Sequence, residues 1–507
     1  MVLNYLFTFL AGVTASLSLP NLYIIPFLLA GYYIFLRFLE KSSSLGCGFF
    51  FGLSFGLGYF LVSFHWIYFA ISFDVNYKNL ALILTFFFAL FFSIFFGISS
   101  LCVIWYKKNF RENHFFFVDA FIISLCFFIF EILRSKIFSG FPWNLSAHIW
   151  AFDTSFMTSA SFLGVEGLSF ITIFWTILIC KFLIYRKIKF SIITFLIFPF
   201  ILLLFDIKKE KIDSGHEIKV RVIQPNVSQQ NKWDRDYLKD HLTKIFNLSI
   251  KNKTDNEPAH IVVWPETAVP FYIEENLDFL EFLSENFSPK TYIITGGLRS
   301  KINLNEKLIY NSLFLIKDGK ILSSYDKMKL VPFGEFMPLR KYFSFNKITK
   351  GSTDFSSGKK MFPFTIIDEL KTIKIVPNIC YEGIFPIKID DNQFNLIVNS
   401  TNDAWFGDTT GPAQHLVAAR FRAIEIGLPL IRSANTGVSV ITDSYGSILG
   451  EMKLNTMGYI EKNIKVKKKE TLFSSLGKYL IFIILIFFLI LSILVDYLFY
   501  KKWLKLI

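Results

Sequence analysis

Charge is scarce in this sequence. Only 18% of its 507 residues are Asp, Glu, Lys or Arg while 53% are hydrophobic; soluble domains carry about 25% charged residues. With a mean hydropathy of +0.46, this balance excludes an ordinary soluble enzyme and points to a membrane protein. Cysteine is scarce too: Cys47, Cys102, Cys126, Cys180 and Cys380 are the only five. The first four lie in apolar runs and read as small buried hydrophobes. Cys380 alone lies in a polar region, which excludes a disulfide within that region and leaves a thiol that needs a reason. There is no metal-ligand spacing, phosphate loop, nucleotide motif or internal repeat, so neither a cofactor nor a metal is expected. The first apolar run lacks a basic leader and runs straight into another, so it is expected to be a span and not a cleavable signal. The net charge of +13 does not imply nucleic acid, because the lysines flank apolar runs. Phenylalanine is the excess, at 63 residues, and it enlarges the apolar surface without pointing to a chemistry.

Those runs predict about eight membrane spans: Tyr5–Leu19, Leu22–Leu39, Gly46–Ile71, Leu80–Tyr106, Phe115–Leu133, Phe162–Leu183, Phe190–Phe205 and Tyr479–Tyr500. A hydrocarbon core about 30 Å thick needs roughly 20 apolar residues, so the first and seventh are short. The first two, divided by Pro20 and Asn21, either span separately or form one re-entrant hairpin. Basic residues follow every even-numbered span: Arg37 and Lys41; Lys107, Lys108 and Arg111; Lys181, Arg186, Lys187 and Lys189; Lys501, Lys502 and Lys505. By the positive-inside bias, both termini are expected in the cytoplasm and the long segment before the last span outside it. Arg134 and Lys136 run against the pattern. Glu131 and Arg134, one helical turn apart, are costly in lipid and form either a helix-end ion pair or a headgroup site beside Gly140–Asn144. Glu166 and His65 are expected to make packing contacts between helices.

The chain therefore divides into an N-terminal membrane bundle over 1–206, a domain over 207–473, and a last span with a short tail over 474–507. The middle domain alternates β-rich runs with helical ones, as an α/β domain does. Strands are predicted at Ile218–Ile223, His260–Trp264, Tyr292–Thr295, Ser312–Ile316, Ile373–Val376, Leu396–Val398 and Ser439–Thr442, with a hairpin turn at Asp318-Gly319. Helices fit Asp236–Leu248 and Gln414–Ile426.

Three strand-end positions stand out in that domain. Glu266, in Val-Val-Trp-Pro-Glu-Thr-Ala, is delivered by an apolar strand into a bend where burial is expected to raise its pKa toward general-base range; alone, it reads equally as a cap or an ion-pair partner. Lys327, in Tyr-Asp-Lys-Met-Lys, reads by itself as a solvated lysine. Cys380, in Pro-Asn-Ile-Cys-Tyr-Glu-Gly, sits where a strand passes into a turn and is either a buried structural thiol or a nucleophile. Together they make one chemistry. The cysteine attacks, the glutamate takes its proton, and the lysine lowers the thiol pKa and stabilises an oxyanion. No histidine is needed.

The order Trp-Pro-Glu, Tyr-Asp-Lys, Cys-Tyr-Glu resembles the nitrilase (carbon–nitrogen hydrolase) superfamily and its Glu-Lys-Cys triad. More narrowly, five motifs resemble the apolipoprotein N-acyltransferase family: Gly-Phe-Pro-Trp-Asn (140–144), Gln-Pro-Asn (224–226), Lys-Leu-Val-Pro-Phe-Gly-Glu-Phe (329–336), Asn-Asp-Ala-Trp-Phe-Gly (402–407) and Arg-Ser-Ala-Asn-Thr-Gly (432–437). The resemblance covers nearly the whole chain. It implies an αββα nitrilase-type sandwich on the periplasmic side of an inner-membrane bundle. Glu266 would be the general base, Lys327 the oxyanion lysine and Cys380 the acylated nucleophile. Glu335 would orient the lysine, Tyr381 and Glu382 would support the nucleophile, and Trp233 and Trp405 would stand at the substrate entrance. Lys329 departs from the family, which often has His there. The implied reaction moves an acyl chain from a phospholipid, phosphatidylethanolamine foremost, through a Cys380 thioester to the α-amine of a diacylglyceryl-cysteine lipoprotein. A membrane-tethered amidase acting on a small amide is the alternative. A transporter with a solute-binding outer domain is the third class, and the triad counts against it.

Overall fold

A computed structural model describes residues 2–75, 77–111, 115–206, 216–251, 259–303, 306–338, 354–368, 371–387 and 394–504. The expected domain start at 207 and the tail from Lys505 lie outside the described residues. The chain forms two compact units, one of Met1–Tyr68, Leu80–Lys209 and Thr471–Ile507, the other of Phe69–Asn79 and Glu210–Glu470.

The first unit is helical: α1 (Val2–Ser16), α2 (Ile25–Lys41), α3 (Leu45–Ser63), the start of α4 (Trp66–Ser72), α5 (Ala81–Asn109), α6 (Phe116–Lys136), α7 (Thr154–Met157), α8 (Ala160–Ile184) and α9 (Ile188–Leu204). Among the described residues, five helices are long and apolar enough to cross a membrane: Leu45–Ser63, Lys78–Asn109, Phe116–Lys136, Ala160–Ile184 and Leu472–Phe499. The other expected spans are helices of 15, 17 and 17 residues. The expected span Gly46–Ile71 is corrected: α3 stops at Ser63 and α4 restarts at Trp66, a break hidden in the sequence because the apolar run continues through it. Charges converge at one end of the bundle. Arg111 pairs with Glu40 at 2.7 Å and with Asp119 at 2.9 Å, and Lys181 joins Asp119, so basic exits from α5 and α8 meet the end of α2. The carboxylate of Asp496, far along the chain, receives the backbone N–H groups of Phe116, Phe117 and Val118 at 2.8–3.0 Å. It caps α6 where no lipid could.

Glu131 and Arg134 do not form the expected helix-end ion pair among the described residues. The buried Arg134 guanidinium donates to the carbonyls of Phe141 at 3.1 Å and Trp143 at 2.7 Å, while Glu131 accepts from the backbone and hydroxyl of Ser146. Each satisfies the turn that carries the 140–144 motif instead of the other. Glu166 pairs with Lys136 at 3.2 Å, and His65 Nδ1 lies 2.8 Å from the Val62 carbonyl.

The second unit runs β1 (His216–Gln224), α10 (Leu238–Ile250), β2 (Ile261–Val263), β3 (Val269–Tyr272), α11 (Leu277–Asn286), β4 (Tyr292–Asn303), β5 (Glu306–Lys317), β6 (Lys320–Asp326), β7 (Phe364–Asp368), β8 (Lys371–Ile379), β9 (Leu396–Thr401), α12 (Gly411–Ile426), β10 (Leu430–Ala434), β11 (Ser439–Thr442), β12 (Ile448–Met452) and β13 (Gly458–Val466). Two helices, α13 (Leu472–Leu476) and α14 (Leu480–Leu504), then return to the first unit. One sheet has the order β13-β1-β2-β4-β5-β6 with β3 beside β4; the other is β12-β11-β10-β9-β8-β7. Asp318 and Gly319, at φ +47° and +67°, close the β5–β6 hairpin as such a turn requires.

The sheets share one core. Val220, Val222 and Ile261 from the first sheet pack with Ile375, Leu396 and Val398 from the second, each side chain contributing about 1.5–3 kcal/mol on burial. Helices α10 and α11 bury Ile245, Leu248 and Leu283 on the outer side of the first sheet, and α12, buried along nearly its whole length, accompanies the second. The central strands are parallel, β1 with β2 and β4, β8 with β9 and β10. Their carboxyl ends therefore gather on one side, where open α/β sheets place their chemistry.

Candidate active site

Three strand ends supply the site. Beyond β2 the chain bends at Trp264-Pro265 and presents Glu266; beyond β6 comes Lys327; beyond β8 comes Cys380. All three side chains are buried. Lys327 Nζ donates to Glu335 Oε1 at 2.8 Å and to Glu266 Oε1 at 3.3 Å. Asn311, on β5, donates its amide to Glu266 at 2.8 Å and to Glu335 at 3.1 Å. The Val331 N–H holds Glu335 Oε2 at 2.8 Å. One cation and one amide thus bind two carboxylates that would otherwise repel, and Lys327 keeps one N–H for an incoming oxygen.

Cys380 has φ +50°, a left-handed turn that costs a non-glycine residue about 1–3 kcal/mol and persists only when its surroundings impose it. They do. Glu382 accepts the Ile379 N–H at 2.8 Å with one oxygen. With the other it takes Tyr325 Oη, Met328 N and Lys329 N at 2.8, 2.8 and 3.0 Å. It therefore ties the loop bearing Cys380 to the loop bearing Lys327. On the far side, His415 Nε2 donates to the Cys380 carbonyl at 3.1 Å, since a carbonyl only accepts. His415 Nδ1 lies 2.8 Å from Asp403, which Arg432 also binds at 2.8 Å. Burial, then the Arg432 guanidinium, pulls the His415 pKa down, with Asp403 opposing.

The electrostatics correct one expectation. Burial does push Glu266 up, but Lys327, then Lys232, and hydrogen bonds from Asn311 and Cys380 outweigh it and hold the carboxyl below its ordinary range. Burial would lower Lys327 too, yet Glu335 and Glu266 hold it well above its usual value. Burial and the Glu266 charge push the Cys380 thiol up to about 12, with Lys327 opposing. At rest the site holds a carboxylate, an ammonium and a neutral thiol.

The fold thus brings together Glu266, Lys327, Cys380, Glu335 and Glu382. Tyr381 packs edge-on against Phe385 at 5.1 Å, one residue from Cys380. Trp405 meets Phe73 at 5.7 Å and Trp233 is 38% exposed; among the described residues neither hydrogen-bonds to the carboxylates. Lys329, the departure from the family, lies over the Phe385 ring at 5.4 Å. Asn311, Lys232 and His415 escaped sequence reasoning. Asn311 is a single amide in an apolar strand, a weak signal, whereas Asp403 and Arg432 lie in two of the quoted motifs without an assigned role. Among the described residues no group of three or more His, Cys, Asp or Glu side chains is placed to hold a metal ion.

Comparison with known proteins adds the following. Residues 219–470 match the family described as carbon-nitrogen hydrolase, and residues 11–178 the apolipoprotein N-acyltransferase N-terminal domain. An apolipoprotein N-acyltransferase of Rickettsia typhi is 31% identical over 511 residues, covering 97% of this chain and 98% of its own. One from Brucella melitensis is 30% identical over 438 residues, covering 81% and 78%. Among solved structures, a CN-hydrolase superfamily protein of Xanthomonas campestris is 14% identical with a TM-score of 0.36, covering 49% of this chain and 91% of that one.

Proposed function

The chain belongs to the apolipoprotein N-acyltransferase family, and from that premise we propose that Glu266, Lys327 and Cys380 carry out its acyl transfer in two steps. The observation that carries the assignment is the convergence of a buried thiol, a buried lysine and two buried carboxylates on adjoining strand ends. In the first step Glu266 takes the Cys380 proton and the sulfur attacks the ester carbonyl carbon of a membrane phospholipid, phosphatidylethanolamine foremost. Lys327 stabilises the oxyanion. The C–O bond breaks, the lysophospholipid oxygen recovers the proton from Glu266, and a thioester remains. In the second step the α-amine of a diacylglyceryl-cysteine lipoprotein attacks the thioester carbonyl. Glu266 takes the amine proton and returns it to the departing sulfur, leaving an amide. Glu335 keeps Lys327 charged and in place; Glu382 and Tyr381 hold the turn at Cys380; Trp233 and Trp405 stand at the entrance.

Because Glu266 is held as a poor base and Cys380 as a poor acid, thiolate forms only as charge moves onto an oxyanion that Lys327 can receive. That protects the resting enzyme from stray alkylation and the thioester from water. The decisive experiment is intact mass spectrometry. With phospholipid alone, the protein gains one acyl mass. On adding a diacylglyceryl-cysteinyl peptide, the adduct disappears and the peptide gains it. An adduct lost only to water, with no N-acylated peptide, would return the chain to the amidase class.

The membrane arrangement follows from the same reading: seven spans over 1–206, the catalytic domain over 207–473 on the periplasmic side, and an eighth span over 474–507, with both termini in the cytoplasm. The basic residues after alternate spans and the meeting of Arg111, Lys181 and Glu40 at one end of the bundle support it. A reporter active only outside the cytoplasm is expected to work when fused near Lys301 and to fail after Ile507; the reverse pattern inverts the topology.

Gly296 tests the base. Its β4 backbone lies so close behind Glu266 that a Cβ would stand 2.4 Å from Thr267 N and 2.8 Å from Glu266 Cα. Gly296→Ala is expected to push the base on the order of 1 Å out of line and slow acylation about 10²-fold. Thioester formation in the wild-type range would show that the Glu266 position does not matter.

A further inference from the structure

One buried cation has no part in these two steps. Lys232 belongs to the loop after β1 and is only 5% exposed, although the neighbouring Trp233 is open to solvent. Its Nζ donates to the backbone carbonyl of Glu266 at 2.9 Å, just before Thr267 turns to φ +44°. With Glu266, Thr267, Pro225, His241 and Asn435 it lines a small pocket behind the base. A long, flexible lysine is seldom buried without a partner that gains from it.

We propose that Lys232 is a positioning residue for the base. One N–H fixes the Glu266 peptide at the bend, and the charge on the same nitrogen governs how readily Glu266 accepts the Cys380 proton. This rests on Glu266 and Cys380 acting as base and nucleophile.

The titratable groups facing Lys232 are Glu266, Cys380 and, from α10, His241. Its charge bears more on Glu266 than on Cys380, so the ammonium favours the state before proton transfer. Burial pulls Lys232 down to about 8, with Glu266 and Cys380 opposing, which brings its loss of charge into the physiological range. The sign follows. Below that pH the ammonium keeps Glu266 anionic and resists transfer from Cys380. Above it the neutral amine still donates to the Glu266 carbonyl, but its field is gone and Glu266 becomes the stronger base. The step moves only a proton, from Cys380 to Glu266; the proton that Lys232 gives up goes to buffer.

The test is single-turnover thioester formation by the full-length protein in detergent from pH 6.5 to 9.5. Phosphatidylglycerol is the donor because its headgroup does not titrate there, and leaving out the acceptor removes the other amine. The wild-type rate is expected to rise about tenfold through pH about 8, the worth of one unit in the base. Lys232→Gln, uncharged but still a donor, is expected to be flat and faster than wild type at pH 7. Lys232→Arg, always charged, is expected to be flat at the slow level. A flat wild-type profile, or a rise near pH 8 that survives in either variant, overturns the proposal. If Lys232→Gln does not fold, the wild-type and Lys232→Arg profiles still decide. Failure of the underlying reading looks different: no adduct forms on the wild type, or one persists in Cys380→Ala.

Discussion

Cys380→Ser protein incubated with phospholipid is expected to carry no acyl adduct, and Cys380→Ala none either. The serine differs by one atom, but its hydroxyl is far harder to ionise than a thiol. The environment gives it no help, since Glu266 is held below the ordinary carboxylate range by two lysines. Even the thiol sits at about 12; a hydroxyl in the same place is beyond the reach of this base. Loss of transfer on the order of 10⁶-fold is the scale of removing a nucleophile from a site whose groups act as a unit. The four other cysteines lie in the helical unit, so an adduct remaining in Cys380→Ala would place the chemistry on another residue and sink the assignment.

Lys327→Met is expected to lose both activity and stability, and the two losses can be separated. The oxyanion loses its charged donor, which slows acylation by on the order of 10²–10³. The Cys380 thiol also loses the main cation opposing its upward shift, so its thiolate, followed by ultraviolet absorbance against pH, moves further from neutrality. Glu266→Gln differs here: it removes the proton acceptor together with a negative charge that disfavours thiolate, so acylation falls while the thiol pKa drops. Stability follows the carboxylates. With Lys327 gone, Glu266 and Glu335 lose the ammonium bonded to both and keep Asn311, with Lys232 facing Glu266 alone, so breaking the buried pair costs about 3–5 kcal/mol. Glu266 loses the stronger of the two lysines holding its carboxyl down, so burial raises it; the penalty is full above the new folded pKa and vanishes below the unfolded value near about 4.3. Thermal unfolding should accordingly show Lys327→Met furthest from wild type at pH 8 and closest near pH 4. Acylation within tenfold of wild type would remove Lys327 from the oxyanion.

What the sequence revealed, and what it hid, follows from the range of the interactions. Trp-Pro-Glu, Tyr-Asp-Lys and Cys-Tyr-Glu are local: each is a strand, a bend and a functional side chain within a few residues, and their apolar strands fix the two sheets. The left-handed turn at Cys380 fits the expected strand-to-turn elbow. The state of Glu266 was hidden because its causes are remote. Lys232 is 34 residues away in the chain and Lys327 is 61, and the register of the first sheet alone makes them neighbours. Asn311 reaches two carboxylates for the same reason. His415 meets the Cys380 carbonyl from α12, across 35 residues, so a site whose expected chemistry needs no histidine still has one bonded beside its thiol. In the helical unit, periodicity and length locate the helices, but the stop at Ser63 leaves no trace in an unbroken apolar run.

The carboxylate of Asp496 lies some 380 residues beyond the N–H groups it receives at the start of α6. A ribosome adding about 5–20 residues per second delivers α6 on the order of 20–80 s before Asp496. Throughout that interval the first turn of α6 lacks the carboxylate that caps it. The α/β unit is thus synthesised before the carboxylate that caps α6. Asp496 arrives with α14, so a change in that helix acts first on a helix made some 380 residues earlier.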